Sequence, residues 1–366
     1  MDSGLPPRIG PYEPLELLAE GGMARVVVAR RAEVEGPEPF VALKLIRPEL
    51  AADETYVTMF LDEARLNSRV RHPNVVEILD VGKDERTGIS YIAMELVSYI
   101  AMELVLGATL AELMRRASAP IPTPIALEIV AQADAAHVAT AADGTPLAMV
   151  HRDVSPQNLL VGFDGIVRVS DFGVARAAQR ATRTKTGQFK GKLAYCSPEQ
   201  AMGLPLDHRS DVFALGVVAW EVLAGERLFG RPTPYETIDA ILHRPIPSFA
   251  SLRPDLSPRA AAMLDRALQR DVSKRPSSAG ELAEALRTAT VRLAPGAPPP
   301  DLREAVRACA SPAALRLAGL PAVPHPVAEA VSSEVTKVAK GRLEPTVAED
   351  RGHESTAVAA WWKKRD

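Results

Sequence analysis

The chain is expected to fold as an α+β protein of two lobes, a small β-rich one followed by a larger helical one. The hydrophobic period carries this expectation, because it changes along the chain. Short alternating runs fill residues 12 to 46, whereas helical spacing dominates after Gly107. A content of 47% apolar residues across 366 positions supplies a sizeable core and excludes a disordered chain. From about Leu293 the composition turns rich in proline and alanine (LAPGAPPPDL, then SPAALRLAGLPAVPHPV). A compact domain over residues 12–289 is therefore expected, with a weakly ordered, disordered tail over residues 290–366.

Taken in order, EPLELLAE, ARVVVARR and PFVALKLI alternate as antiparallel strands do, and each is β-rich. Tyr56 to Arg69 follows helical spacing, and Val75 to Val81 reads as a strand again. Beyond Gly107, helices are expected at Thr109–Arg116, Pro124–Ala141, Val212–Leu223, Pro258–Gln269 and Gly280–Thr288. The stretch from Val150 to Ser197 interrupts them with β-rich, loop-rich sequence. In the tail only Asp301 to Leu317 has helical character, broken at Ser311-Pro312. A cleft between two lobes is a natural ligand site.

Charge and cysteine content narrow the function classes. The 43 lysines and arginines are balanced by 46 acidic residues, so no nucleic-acid partner is expected. Two cysteines, Cys196 and Cys309, are too few for a disulfide framework or an all-thiolate zinc site, which fits a cytoplasmic protein. The most apolar stretch, Val212 to Ala224, falls short of the ~20 residues a spanning helix needs and contains Glu221. No spanning membrane segment is expected.

Ser90 to Val97 reads SYIAMELV, and Ser98 to Val105 repeats it without a change. A tandem copy of this kind is not a solenoid repeat, which needs longer units and more of them. Extended, eight residues add about 26 Å of chain, so only one copy fits the strand.

The segment Ala19-Glu20-Gly21-Gly22-Met23-Ala24-Arg25-Val26 lies between two strand-like runs. Small residues there suit a turn whose backbone N–H groups approach a phosphate, and suit a plain hairpin equally. Lys44 ends the apolar strand Val41-Ala42-Leu43, and Glu63 follows in the helix FLDEARLNSRV; alone, each also fits a solvated surface. The informative cluster is His151-Arg152-Asp153-Val154-Ser155-Pro156-Gln157-Asn158, with Asp171-Phe172-Gly173 starting thirteen residues after Asn158.

Here the chain resembles the protein kinase superfamily, and within it the bacterial, eukaryotic-like (Hanks-type) serine/threonine kinases. The order of glycine loop, VALK, helix Glu, HRD, DFG and Ser197-Pro198-Glu199 carries the resemblance from about Tyr12 to Thr288. It implies a bilobal protein-kinase-like fold and ATP-dependent transfer of a phosphoryl group to Ser or Thr of protein substrates. It implies ATP and Mg2+ as cofactors. Asp153 would accept the hydroxyl proton. Lys44 would hold the α/β-phosphates, oriented by Glu63, and Asn158 with Asp171 would hold Mg2+. Leu18, Val26 and Ala42 would cover the adenine from above and Leu160 from below, over a glycine loop that includes Ala19, Gly21, Gly22 and Ala24. Met102 would be the gatekeeper. Glu199 would pair with Arg275, and Asp211 would anchor the catalytic loop.

The sequence departs from the family pattern in three places. Ser155 stands where a lysine is usual, and Lys192 stands where a threonine is usual after Gly191. In the family these positions face each other, so Lys192 is expected either to supply the displaced charge or to be a solvated loop residue. Next, the helix over Ala126 to His137 is about one turn short. Finally, the repeated octapeptide falls on the fifth strand and hinge. Glu103 to Val105 is preferred as hinge over Glu95 to Val97, because an insertion at the outer turn is better tolerated than one across the pocket.

The basic loop over 175–192 holds Thr184 and Thr186, expected as autophosphorylation sites whose phosphates would bind neighbouring Arg and Lys. Self-association for that reaction is expected with them. The competing readings are a pseudokinase or nucleotide-binding scaffold with little turnover, and a small-molecule phosphotransferase.

Overall fold

Strand order follows from the alternation in the first third of the chain. In the computed structural model, β1 (Tyr12–Glu20), β2 (Ala24–Arg31) and β3 (Phe40–Ile46) form an antiparallel meander. The short helix α1 (Pro48–Ala51) and the longer α2 (Glu54–Asn67) follow it. Strands β4 (Ile78–Asp84) and β5 (Val97–Glu103) complete a five-stranded antiparallel sheet in the order β1-β2-β3-β5-β4. The described residues are 6–22, 24–32, 40–51, 53–68, 70, 72–84, 97–117, 121–136, 150–171, 192–277, 280–293, 301–310, 315 and 318–319. The chain divides into two units, Met1–Val323 and Pro324–Asp366, and every described residue lies in the first.

The second copy of the octapeptide is the one in the sheet. Tyr99 to Glu103 of β5 pair with Leu45 to Val41 of β3, and Met102 lies opposite Ala42 on one side and Ile78 on the other. Residues 85–96, which hold all of the first copy but Val97, are outside the described residues.

The strand expected at Val75 to Val81 begins later, at Ile78. Residues just before it pair with the other lobe instead: the Val76 N–H donates to the Val169 carbonyl at 3.0 Å, and the Val169 N–H donates to the Asn74 carbonyl at 2.8 Å. A small second sheet joins β6 (Gly107–Thr109), β7 (Leu159–Gly162) and β8 (Val167–Val169). Between them lie α3 (Leu110–Arg116) and α4 (Thr123–Ala135). A capping box starts α3, with the Thr109 hydroxyl accepting from the Glu112 N–H and the Glu112 carboxylate accepting from the Thr109 N–H.

The helical lobe continues with α5 (Pro198–Met202), α6 (Arg209–Ala224), α7 (Pro234–His243), α8 (Phe249–Leu252), α9 (Pro258–Ala267) and α10 (Glu281–Leu293). Every residue of α6 from Ser210 to Leu223 is buried, as its largely apolar sequence requires of a central helix. A Cβ on Gly216 would stand 3.0 Å from the Leu268 side chain, so this glycine sets how closely the next segment approaches α6. Helix α7 is a structural addition to the pattern read from sequence; Thr233 caps it, and Thr237 and Ile241 face the core.

One further helix, α11 (Leu302–Cys309), follows the proline-rich stretch. Leu302, Val306 and Leu315 are buried in the same core as α6, so the packed chain continues past residue 289, the boundary that composition suggested. The apolar stripe of a short amphipathic helix outweighs the proline content around it. Among the described residues no helix is long and apolar enough to cross a membrane.

Candidate active site

Between α4 and β7 the chain forms a tight loop, residues 151–158, whose backbone is held from below. Asp211, in the first turn of α6, accepts the His151 N–H at 2.6 Å and the Arg152 N–H at 2.8 Å. Arg152 has φ of 65°, a left-handed conformation costly for a non-glycine residue. Its N–H is tied to Asp211 and its carbonyl accepts from Gln200 Nε2 at 2.9 Å, so the neighbours fix the strained turn.

His151 is buried, and its ring links the loop to the strand behind it. Nε2 donates to the Ser170 carbonyl at 2.8 Å, and Nδ1 accepts the Asp153 N–H at 3.2 Å. That pairing selects the neutral ring with its proton on Nε2. Burial pushes the imidazole below its usual range, against the opposing pull of Asp211 and the Ser170 carbonyl.

Two ion pairs meet above this loop. Lys192 Nζ lies 2.7 Å from Asp153 Oδ2 and 3.3 Å from Asn158 Oδ1. Asn158 Nδ2 in turn donates to the Asp153 carbonyl at 2.8 Å and to Asp153 Oδ2 at 3.1 Å. From the other lobe, Lys44 Nζ reaches Asp171 Oδ1 at 2.7 Å. Burial pushes the Asp171 carboxyl up, but the Lys44 ammonium, by charge and hydrogen bond, with Lys192 more weakly, holds it below the usual carboxylate range. Asp171 also has positive φ, 57°, a conformation Asp tolerates better than most residues.

Residues of both lobes also share one apolar cluster. Ala42 and Met102 are buried there, with Val26, Val105 and Leu160 packed against them. Leu160 comes from β7, so one cluster closes the cleft from above and below. Leu18 is 43% exposed and stands outside the cluster. This exposure follows from β1, whose residues after Tyr12 all lack full burial.

The hinge after β5 is pinned at both ends. The Glu103 N–H donates to the Glu77 carbonyl at 2.9 Å, and the Leu106 carbonyl accepts the Phe163 N–H at 2.8 Å. Among the described residues, the backbone groups of Leu104 and Val105 between these points make no hydrogen bond. Opposite, the Ala19 to Ala24 turn closes through the Gly21 N–H donating to the Ala24 carbonyl at 2.8 Å, with Gly22 at its tip.

The structure thus brings Lys44, Asp153, Asn158, Asp171 and Lys192 into two linked clusters, and groups Val26, Ala42, Met102, Val105 and Leu160 in one apolar cluster. Glu63 lies on α2, its side chain outside the described residues; Thr184 and Thr186 are outside them altogether. Two supports were not read from sequence. Gln200 holds Arg152, and Arg168 grips the hinge residue Glu103 at 2.9 Å. Their partners are remote in sequence, so no local spacing reveals them.

The pair Glu199 and Arg275 forms as the resemblance implied. Arg275 Nη1 and Nη2 donate to the two carboxylate oxygens at 2.7 and 2.8 Å, beneath Ser210 and over the Phe213 ring. It ties the segment after Lys192 to the base of the lobe.

Comparison with known proteins gives the same direction. A protein kinase domain model matches residues 12–288. The chain is 39% identical over 294 residues to the tyrosine-protein kinase MasK of Myxococcus xanthus, covering 78% of this chain and 44% of that protein. It is 33% identical over 305 residues to the serine/threonine-protein kinase PknB of Mycobacterium leprae, covering 81% and 46%. Against the serine/threonine-protein kinase PknA of Mycobacterium tuberculosis it is 31% identical over 315 residues, covering 84% and 69%. The chain therefore spans less than half of the first two relatives.

Proposed function

The chain belongs to the protein kinase family, and from that premise we propose that it transfers the γ-phosphoryl group of ATP, with Mg2+, to serine or threonine hydroxyls of proteins. The observation that carries this reading is the paired arrangement of Lys192 on Asp153 and Asn158, and of Lys44 on Asp171. Phosphoryl transfer asks mainly for positioned charge, and these pairs place two cations and two carboxylates around one cleft.

Each group has a task the geometry permits. Asp153, held by the His151 ring and by Asn158, accepts the proton of the incoming hydroxyl. Lys192 stabilises negative charge beside it. Asn158 Oδ1 and the Asp171 carboxylate are hard oxygen donors that suit Mg2+, and Lys44 offers an ammonium to nucleotide phosphates. Glu63 would orient Lys44. The backbone groups of Leu104 and Val105, beside an apolar cluster that includes Leu160, fit a flat heteroaromatic ring with a hydrogen-bonding edge. Bound ATP and Mg2+ would supply the transferable group and neutralise its charge.

Autophosphorylation at Thr184 and Thr186, with self-association, and action in the cytoplasm belong to the same proposal. Incubation with Mg-ATP followed by mass spectrometry should find phosphate between residues 182 and 186. A tyrosine acceptor is the second reading, favoured by the name of the Myxococcus relative. Purified chain with labelled ATP and a generic protein substrate separates the possibilities through phosphoamino-acid analysis. The proposal expects phosphoserine and phosphothreonine, lost in Asp153→Asn. Phosphotyrosine alone favours the second reading, and label that never exceeds the Asp153→Asn background favours a pseudokinase.

A further inference from the structure

Helix α11 lies beyond residue 288, where the family match ends, yet it is built into the large lobe. Leu302 and Val306 are buried, and the helix packs against α3, β6 and β7. Strand β6 starts at Gly107, directly after the hinge. A Cβ on Gly107 would lie 2.1 Å from the Val161 carbonyl oxygen, so β6 and β7 approach as closely as two backbones can. Whatever positions β7 therefore positions the end of the hinge.

A polar chain runs the same way. Arg303 Nε, on α11, donates to the Asp164 carbonyl at 3.0 Å in the turn between β7 and β8. The Arg303 side chain also lies against Gly165, which turns there with φ of 80°. Asp164 accepts Arg168 Nη2 at 2.9 Å, and Arg168 Nε holds Glu103 at 2.9 Å. Arg168 is largely buried, with 13% of its side chain exposed, so its fork is held in one place between turn and hinge. Arg116 of α3 adds a second tie, donating to the Ala310 carbonyl at 3.4 Å at the end of α11.

We propose that α11 and the β7–β8 turn brace the hinge, so that residues beyond the family-matched segment set nucleotide affinity. Arg168 and Arg303 act as positioning residues: neither touches the pocket, and both restrain the backbone that would meet the adenine edge. Hinge groups already in place cost less to order when nucleotide binds. The inference rests on the reading of Leu104 and Val105 as the nucleotide edge.

The test uses the full chain carrying Arg303→Ala, Arg303→Lys or Val306→Asp, with KM for ATP, kcat at saturating ATP, Mg-ATP calorimetry and thermal melting measured on each. Arg303→Ala should raise KM about threefold, the range of one lost hydrogen bond, and Val306→Asp, which puts a carboxylate into the buried face of α11, about tenfold. In both, kcat should stay within about twofold, and Arg303→Lys, which keeps a donor, should recover most of the loss. A lowered melting point with KM unchanged overturns the brace. Should Val306→Asp unfold, Arg303→Ala and Arg303→Lys decide alone. If the unaltered chain transfers no phosphate, the kinase reading fails, and Mg-ATP calorimetry on the same variants still judges the brace.

Discussion

Lys192 reaches Asp153 from the segment after residue 191, whereas position 155, where the family usually has lysine, holds a serine. Ser155 is fully buried, and its hydroxyl has no hydrogen-bond partner among the described residues. It cannot supply charge, whereas the Lys192 ammonium stands 2.7 Å from Asp153. Lys192→Ala should lower kcat about 10²- to 10³-fold, with KM for ATP changed far less, because the lost charge acts mainly on the transition state. Steady-state kinetics checks this, and an unchanged kcat beside an inactive Asp153→Ala would make Lys192 a loop residue. Asp153, Asn158 and Asp171 were legible in the sequence because their spacing along the chain is short and specific. The hold of Arg168 on Glu103 was not, since it spans both lobes.

Strand β5 shows how elements settle what residues leave open. Both copies of SYIAMELV have the same propensity and the same face pattern, so only the better tolerance of an insertion at the outer turn favoured the second from sequence. Pairing chooses: the second copy lies between β3 and β4 and runs directly into the hinge. Deleting either copy gives one and the same chain, in which Ile89 takes the place of Val97 opposite Asp84. That deletion should leave the melting temperature and turnover essentially unchanged, as scanning fluorimetry and a kinase assay would record. A large loss would mean that the added residues support the fold. Helix boundaries needed the structure too. Helix α4 begins with Pro124 in its first turn, as proline requires, while the part of its expected span from His137 to Ala141 is outside the described residues. The Val75 region reads as strand but pairs across the lobes, because its apolar residues find partners in β8 rather than in their own sheet.

For the whole molecule, buried histidine ties stability to pH. Burial lowers His151 against the opposing pull of Asp211 and the Ser170 carbonyl, and burial lowers His72 as well. Their folded values lie below the ordinary imidazole value near 6.5, so the unfolded chain binds more protons in the interval between. Stability contributed there is complete above about pH 6.5 and is lost as pH falls toward the folded values. Melting temperature against pH should therefore be flat just above neutrality and decline below about 6.5; a rise on acidification would contradict the buried neutral ring. What the sequence determined by itself was the two-lobed α+β class and the kinase resemblance, with the acids and lysines proposed for the site, all of which rest on local period and short spacing. The tertiary structure decided which octapeptide is strand, that Lys192 meets Asp153, that α11 belongs to the packed lobe, and that Arg168 grips the hinge. Each of these depends on residues brought together by burial of a shared core, and no pattern confined to one segment encodes that meeting.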